Sequence, residues 1–274
     1  MSDGRTRGLR DFGIRTLSAA LLGGVVLAVL FFGGTWGLAA AVAVIAALAA
    51  TELYALARRE RRLPNEMFGI TAVVAMPLVA ARWGGSGLAA VISALIVASL
   101  VWHVLFRQVR LSDTAITVFG AAYVGFTLSH VVLIRQLDGG TMLTLTMILG
   151  IWANDVAAYL VGSTVGKRPL AARISPRKTW EGLAGGTAGT VAVWLLVGPL
   201  AETGLSVSTL LLIGLVSSLA AVFGDLAESR FKREASVKDS GTLLPGHGGF
   251  LDRFDSFIVV SIVTYYLLVM AGVQ

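Results

Sequence analysis

The chain has 274 residues, of which 56% are hydrophobic and 14% charged, with a mean hydropathy of +0.80 and a formal net charge of +6. So apolar and charge-poor a chain is not a water-soluble domain; its solvent is the bilayer. It has no cysteine and three scattered histidines (His103, His130, His247), which excludes disulfides, Fe–S clusters and Cys-ligated zinc and argues against a His-based zinc site. Its arginines cluster beside apolar runs, so an anionic membrane face accounts for the positive charge and no nucleic-acid partner is expected.

In chain order, residues 1–15 are polar and carry Arg5, Arg7, Arg10 and Arg15 ahead of an apolar run over 16–32. No convincing small-residue cleavage site follows that run, so it reads as a retained first span rather than a signal peptide. Gly33-Gly34 turns into a second span over 35–57, which ends at Arg58-Arg59-Glu60-Arg61-Arg62. A short apolar segment over 67–81 and longer ones over 87–106 and 115–134 follow, then 141–163, apolar except for Asn154 and Asp155. A polar loop over 166–182 precedes spans over 183–201, 205–223 and 254–273. A span needs about 20 apolar residues, which makes 67–81 the least typical of the nine.

The expected fold is therefore all-α: a polytopic integral membrane protein of about nine transmembrane helices. Residues 1–140 form N-terminal spans and 141–274 a C-terminal core with polar loops. With the N-terminus in the cytoplasm, 20 of the 22 Lys and Arg residues fall on the cytoplasmic side, leaving Arg82 and Arg135 outside. That asymmetry matches the retention of basic residues on the inner face and places the polar loops there.

The chemistry-bearing stretch is 224–256. Asp225, Glu228, Ser229 and Lys232 have helical i, i+3, i+4, i+7 spacing, and Asp252, Asp255 and Ser256 repeat it at the start of the last span. Between them Pro245-Gly246-His247-Gly248-Gly249 breaks the helix. Carboxylates on two helix ends beside a basic, glycine-rich loop suit a hard cation and the phosphates of a nucleotide. Asp155, deep in its span, is in a place where charge is costly and usually functional. Gly162 to Lys167 fails the phosphate-loop pattern, because three residues separate its glycines and Arg168 stands where Ser or Thr is needed.

The run Ser229-Arg-Phe-Lys232-Arg233, Lys238-Asp239, Gly241, Pro245, His247-Gly248-Gly249, Asp252-Arg253, Asp255 resembles the signature of phosphatidate cytidylyltransferases, also called CDP-diacylglycerol synthases. The resemblance extends to Ser175-Pro-Arg-Lys-Thr-Trp-Glu-Gly182 and Asn154-Asp155-Val-Ala-Ala-Tyr159. It departs at Arg177, where Lys is commoner, and at Ala227, where a larger residue is frequent. It implies the reaction of CTP with phosphatidate to give CDP-diacylglycerol and diphosphate, with Mg²⁺ as cofactor and room for a second metal or a monovalent cation. It also implies Asp225 and Asp252 as metal ligands, with Asp255 in support or on a second cation. Lys232, Lys238 and Arg253 would hold phosphates, and Gly246, Gly248 and Gly249 would let the backbone approach the triphosphate. His247 would transfer a proton or orient the loop through its ring N–H. Ser175, Lys178, Glu181, Ser229, Arg233, Asn154, Asp155 and Tyr159 complete the expected substrate-binding set, Ser175 alternatively serving as a cap.

The expected partners are CTP, phosphatidate and membrane lipids, with a homodimer compatible, and the expected location is the inner (plasma) membrane with the active site facing the cytoplasm. Two alternatives stay open: a secondary transporter using the intramembrane carboxylates, and a cytidylyltransferase acting on another lipid phosphate.

Overall fold

A computed structural model describes residues 23–241 and 248–274. Residues 16–22 of the expected first span, the N-terminal arginines, and Pro245, Gly246 and His247 lie outside the described residues.

The helices are α1 (Gly23–Phe32), α2 (Gly34–Arg59), α3 (Glu66–Leu105), α4 (Leu111–Gly120), α5 (Thr127–Gln136), α6 (Gly140–Val165), α7 (Trp180–Val197), α8 (Val207–Glu234) and α9 (Leu251–Met270). A π-helical turn, Ala121–Phe126, joins α4 to α5 into one span, and a 3₁₀ turn, Gly198–Ala201, extends α7. Among the described residues seven helices are long and apolar enough to cross a membrane, which corrects the expected nine. Two features make the difference. Of the first expected span, only the ten residues of α1 are described. The expected spans over 67–81 and 87–106 are the two arms of α3, which folds back at Gly84 (φ 60°, ψ −146°). The reversal brings Phe68, near the start of α3, to 5.7 Å from Trp102, near its end, ring centre to ring centre. At the bend Gly87 lies so close to Val79 that a Cβ on it would come within 2.5 Å of a Val79 methyl.

The expected all-α fold also acquires a two-stranded antiparallel hairpin. β1 (Pro169–Ala171) pairs with β2 (Ser175–Thr179) inside the polar loop between α6 and α7.

The apolar sequence leaves helices little to recognise one another by except shape, so small residues mark the close approaches. On α7, Gly185 and Gly189 face α6 so tightly that added Cβ atoms would meet Val161 Cγ2 at 2.5 Å and Ala153 O at 3.0 Å. Tyr54 of α2 supplies the complementary case. Its buried ring fills the space over Gly69 and Gly120, and its hydroxyl donates to Thr117 O (2.8 Å), locking α2 to α3 and α4. A single buried core runs from Leu30 of α1 to Leu268 of α9, with members on both sides of residue 140. Large apolar side chains such as Phe32, Val104 and Leu196 face outward, as lipid-facing positions do.

The bundle has two distinct ends. At one, Gln136 Nε2 donates to Ala81 O (2.8 Å), and the Asp138 N–H donates to the Gln274 carbonyl (2.6 Å). At the other, the Leu63 N–H donates to Asp113 Oδ1 (3.0 Å), the Asn65 N–H donates to Thr117 Oγ1 (2.7 Å), and Lys178 of the β-hairpin pairs with Asp225 of α8. The second end carries the acid–base residues.

Candidate functional site

α8 continues unbroken from its apolar part through Asp225 to Glu234, as the spacing of its polar residues implied, and α9 begins at Leu251. Their adjacent ends bring the two halves of the 224–256 stretch side by side, and the approach is close: a Cβ on Gly224 would lie 2.6 Å from Asp255 O. The carboxylates then separate into two neighbouring groups.

The first group reaches the outside of the bundle through Asp155, which is exposed, while Asp225 and Asp255 are half-buried. Asp225 is half-buried, accepts from Ser229 Oγ (3.2 Å) and forms an ion pair with Lys178 of β2. Asp255, one helical turn into α9, feels the charges of Asp225, Asp155 and Lys178. Asp155 projects from α6 toward the same point, exposed on that face, within electrostatic reach of Asp225, Lys178 and Arg253. Four elements thus contribute charge to one place: α6, β2, α8 and α9. Tyr159, on the same side of α6, is 73% exposed and reaches none of these groups through a hydrogen bond.

The second group is closed. Glu228 is fully buried and pairs with Lys232 one turn on, and Lys232 Nζ also donates to Asp252 Oδ1 (2.6 Å). Asp252 Oδ2 accepts from the Ser240 N–H (3.0 Å), the Ser240 hydroxyl (2.9 Å) and the Gly249 N–H (2.9 Å). Asp252 is thereby the anchor of the segment entering α9, and both of its oxygens have donors. Gly248 sits at φ +83°, and a Cβ there would lie 2.9 Å from Asp252 Oδ2.

The remaining expected residues are placed as follows. Glu181, in the first turn of α7, accepts from the backbone N–H groups of Lys167 and Arg168 (3.1 and 3.2 Å), fixing the base of the β-hairpin. Thr179 caps α7 by accepting from the Gly182 N–H (3.1 Å), and Ser175 is half-buried at the start of β2. Arg233, Lys238 and Arg253 line the exposed rim. Asn154 is turned inward: its Oδ1 accepts from Ser218 of α8 (2.9 Å) and more weakly from Thr190 of α7 (3.4 Å). Asn154 is thus tied to α7 and α8 through its Oδ1 while its side chain also hydrogen-bonds Asp155.

Sequence reasoning missed Glu52 and Ser240, and it placed Glu228 on the helical face with Asp225 without giving it a role. Glu52 is a lone acid near the end of an apolar span, and the rule that intramembrane charges are functional would have singled it out as it did Asp155.

Among the described residues no three His, Asp or Glu side chains converge as a ready-made metal cage. A Mg²⁺ ion carried by a nucleotide does not need one, since it is commonly held by one or two carboxylates together with phosphate oxygens and water. The Asp225, Asp255 and Asp155 group fits such an ion in chemistry, with hard oxygens from separate helices at an accessible place.

Fold and site together define a multi-pass membrane protein with an acidic and basic centre of the kind that handles phosphates. Over residues 13–271 the sequence matches the model of the cytidylyltransferase family, and the chain belongs to that family. It is therefore a nucleotidyltransferase. It is 33% identical over 259 residues to the phosphatidate cytidylyltransferase of Staphylococcus haemolyticus, covering 93% of this chain and 98% of that one. It is 30% identical to the phosphatidate cytidylyltransferase of Synechocystis, covering 93% and 96%. With the phosphatidate cytidylyltransferase of Bacillus subtilis identity is 40% over 174 residues, 62% of this chain and 64% of that one.

Proposed function

We propose that this protein is a phosphatidate cytidylyltransferase, converting CTP and phosphatidate to CDP-diacylglycerol and diphosphate. The observation that carries the reading is the Lys178–Asp225 ion pair with Asp255 and Asp155 around it, at one end of a membrane bundle whose sequence is related over nearly full length to enzymes of that name.

In the reaction a phosphate oxygen of the lipid attacks the α-phosphorus of CTP, and the bond from that phosphorus to the bridging oxygen of diphosphate breaks. A phosphate dianion is already a nucleophile, so the protein need not supply a strong base. Its task is to hold two polyanions together and to meet the negative charge that leaves. Lys178, held against Asp225, can turn to a phosphate without leaving the site, and Arg253 stands on the same rim. The N–H groups at the start of α9 are already taken by carboxylates, Gly249 by Asp252 and Phe250 and Leu251 by Glu52, so the phosphates fall to Lys178 and Arg253 on the open side. Asp155 belongs to the membrane-spanning part of α6, so a lipid headgroup reaches it from the bilayer while the nucleotide enters from water.

The divalent cation would be Mg²⁺, held by Asp225 and Asp255 with Asp155 beside them; when bound it would neutralise the triphosphate and the departing diphosphate. Asp252 would join this set once Lys232 moves from Asp252 Oδ1 to a phosphate. The basic rim and the carboxylates face the cytoplasm in this reading, the side from which CTP is supplied.

The test is diphosphate release from CTP by the purified protein in detergent, with and without phosphatidate and with Mg²⁺ present or chelated. Release that needs both phosphatidate and Mg²⁺ is expected. Equal release with another lipid phosphate would broaden the substrate class, and none under any condition would overturn the assignment.

A further inference from the structure

Glu52 lies on α2, in the half of the chain farthest in sequence from the signature stretch, and is 4% exposed. A carboxylate buried in an apolar helix is costly unless donors surround it. The donors here all come from the segment leading into α9. Glu52 Oε1 accepts from the Phe250 N–H (3.1 Å), and Oε2 accepts from the Leu251 N–H (2.9 Å) and from the Ser240 hydroxyl (2.8 Å). Phe250 and Leu251 are the first groups of α9, so Glu52 caps that helix from another part of the chain, at the end where negative charge is favoured.

The same serine links Glu52 to Asp252. Ser240 Oγ lies 2.8 Å from Glu52 Oε2 and 2.9 Å from Asp252 Oδ2, and one hydroxyl proton serves one carboxylate at a time. When it serves Glu52, the Ser240 and Gly249 N–H groups still hold Asp252. Two signature glycines owe their identity to this contact. A Cβ on Gly241 would come within 2.3 Å of Glu52 Oε1, and one on Gly249 within 2.2 Å of Glu52 Oε2.

We propose that Glu52 is a positioning residue for nucleotidyl transfer: it fixes both ends of the 241–249 segment and the start of α9, and so sets where Asp252 and Asp255 stand. It acts through Ser240 and the α9 N-terminus and does not touch the substrates. The proposal rests on the nucleotidyltransferase reading above.

The experiment compares the full-length wild type, Glu52→Gln, Ser240→Ala and the double variant in detergent, measuring kcat, both KM values and amide exchange. Glu52→Gln keeps the volume and removes the charge. It is expected to lower kcat about 10–100-fold, as loss of an orienting outer group does, while the KM for phosphatidate stays unchanged. Faster amide exchange should be confined to residues 248–251, and the double variant should lose no more than the worse single one, because both act through one hydroxyl. Wild-type kcat in Glu52→Gln, independent losses that multiply, or faster exchange spreading to the far end around Asp138 and Ala201 would each overturn the proposal. If Glu52→Gln does not fold, Gly249→Ala, which retains Glu52 but places a methyl in its way, is judged by the same kcat, KM and exchange outcomes. A wild type that releases no diphosphate would defeat the functional reading instead, and amide exchange at 248–251 would still decide what Glu52 holds.

Discussion

Lys178 of β2 forms an ion pair with Asp225 of α8, so the β-hairpin is fastened to the bundle through the candidate site itself. The hairpin has a second attachment in Glu181, which accepts from the N–H groups of Lys167 and Arg168. Its base is therefore held independently of Lys178, and the lysine is free to exchange Asp225 for a phosphate.

That arrangement predicts different outcomes for the two partners. Asp225→Ala should lower turnover by at least about 100-fold, the upper end of what outer-sphere losses cost. Lys178→Ala should lower it about 100–1,000-fold, as loss of a group stabilising transition-state charge does. In both variants Glu181 keeps the hairpin seated, so elution as a folded protein is expected. Activity of Asp225→Ala near the wild-type level, measured by diphosphate release, would remove Asp225 from the metal set.

Asp155 distinguishes an enzyme from a transporter. Asp155→Asn should reduce CTP-dependent product formation in detergent micelles, where no ion gradient exists. A transporter would instead need that carboxylate to gain and lose charge during its cycle. Ion-driven uptake in liposomes that Asp155→Asn abolishes, together with no CTP-dependent product from the wild type, would support the transporter.

Asn154, beside Asp155 in sequence, should behave in the opposite manner. Its Oδ1 joins α6 to Ser218 and Thr190 inside the bundle, so Asn154→Leu should destabilise the fold by about 1–3 kcal/mol, the cost of stranding buried donors. The readout is thermal unfolding alongside KM. A lower melting temperature with unchanged KM for both substrates is expected; a raised KM at an unchanged melting temperature would make Asn154 a substrate contact.

The chain has no cysteine, so single introduced cysteines report sidedness directly. One placed in the 167–178 loop should react with an impermeant thiol reagent only after the inner face is opened. One beside Glu202, at the other end of α7, should react in intact cells. The reverse pattern would put the candidate site on the side away from CTP.

Much of this was legible in the sequence because the bilayer enforces it. A backbone in lipid must satisfy its own hydrogen bonds, so long apolar runs become helices. The periodicity of Asp225, Glu228, Ser229 and Lys232 placed them on a helix continuing from its span, and α8 is that helix. The similarity of the signature stretch to a cytidylyltransferase was likewise a property of residue order alone.

Only the tertiary structure decided which of these groups meet. Shared helical spacing suggested one face, yet Asp225 turns to Lys178 on a β-hairpin while Glu228 and Lys232 turn to Asp252, because different elements pack on either side of α8. Hydropathy divided 67–106 into two spans, but only the structure showed that they turn back on each other at Gly84, a positive-φ glycine. Nor could residue order show that Glu52 would reach across from α2 to the start of α9. That pairing joins residues 188 to 199 positions apart, and it follows from a buried carboxylate needing donors and a helix N-terminus needing an acceptor.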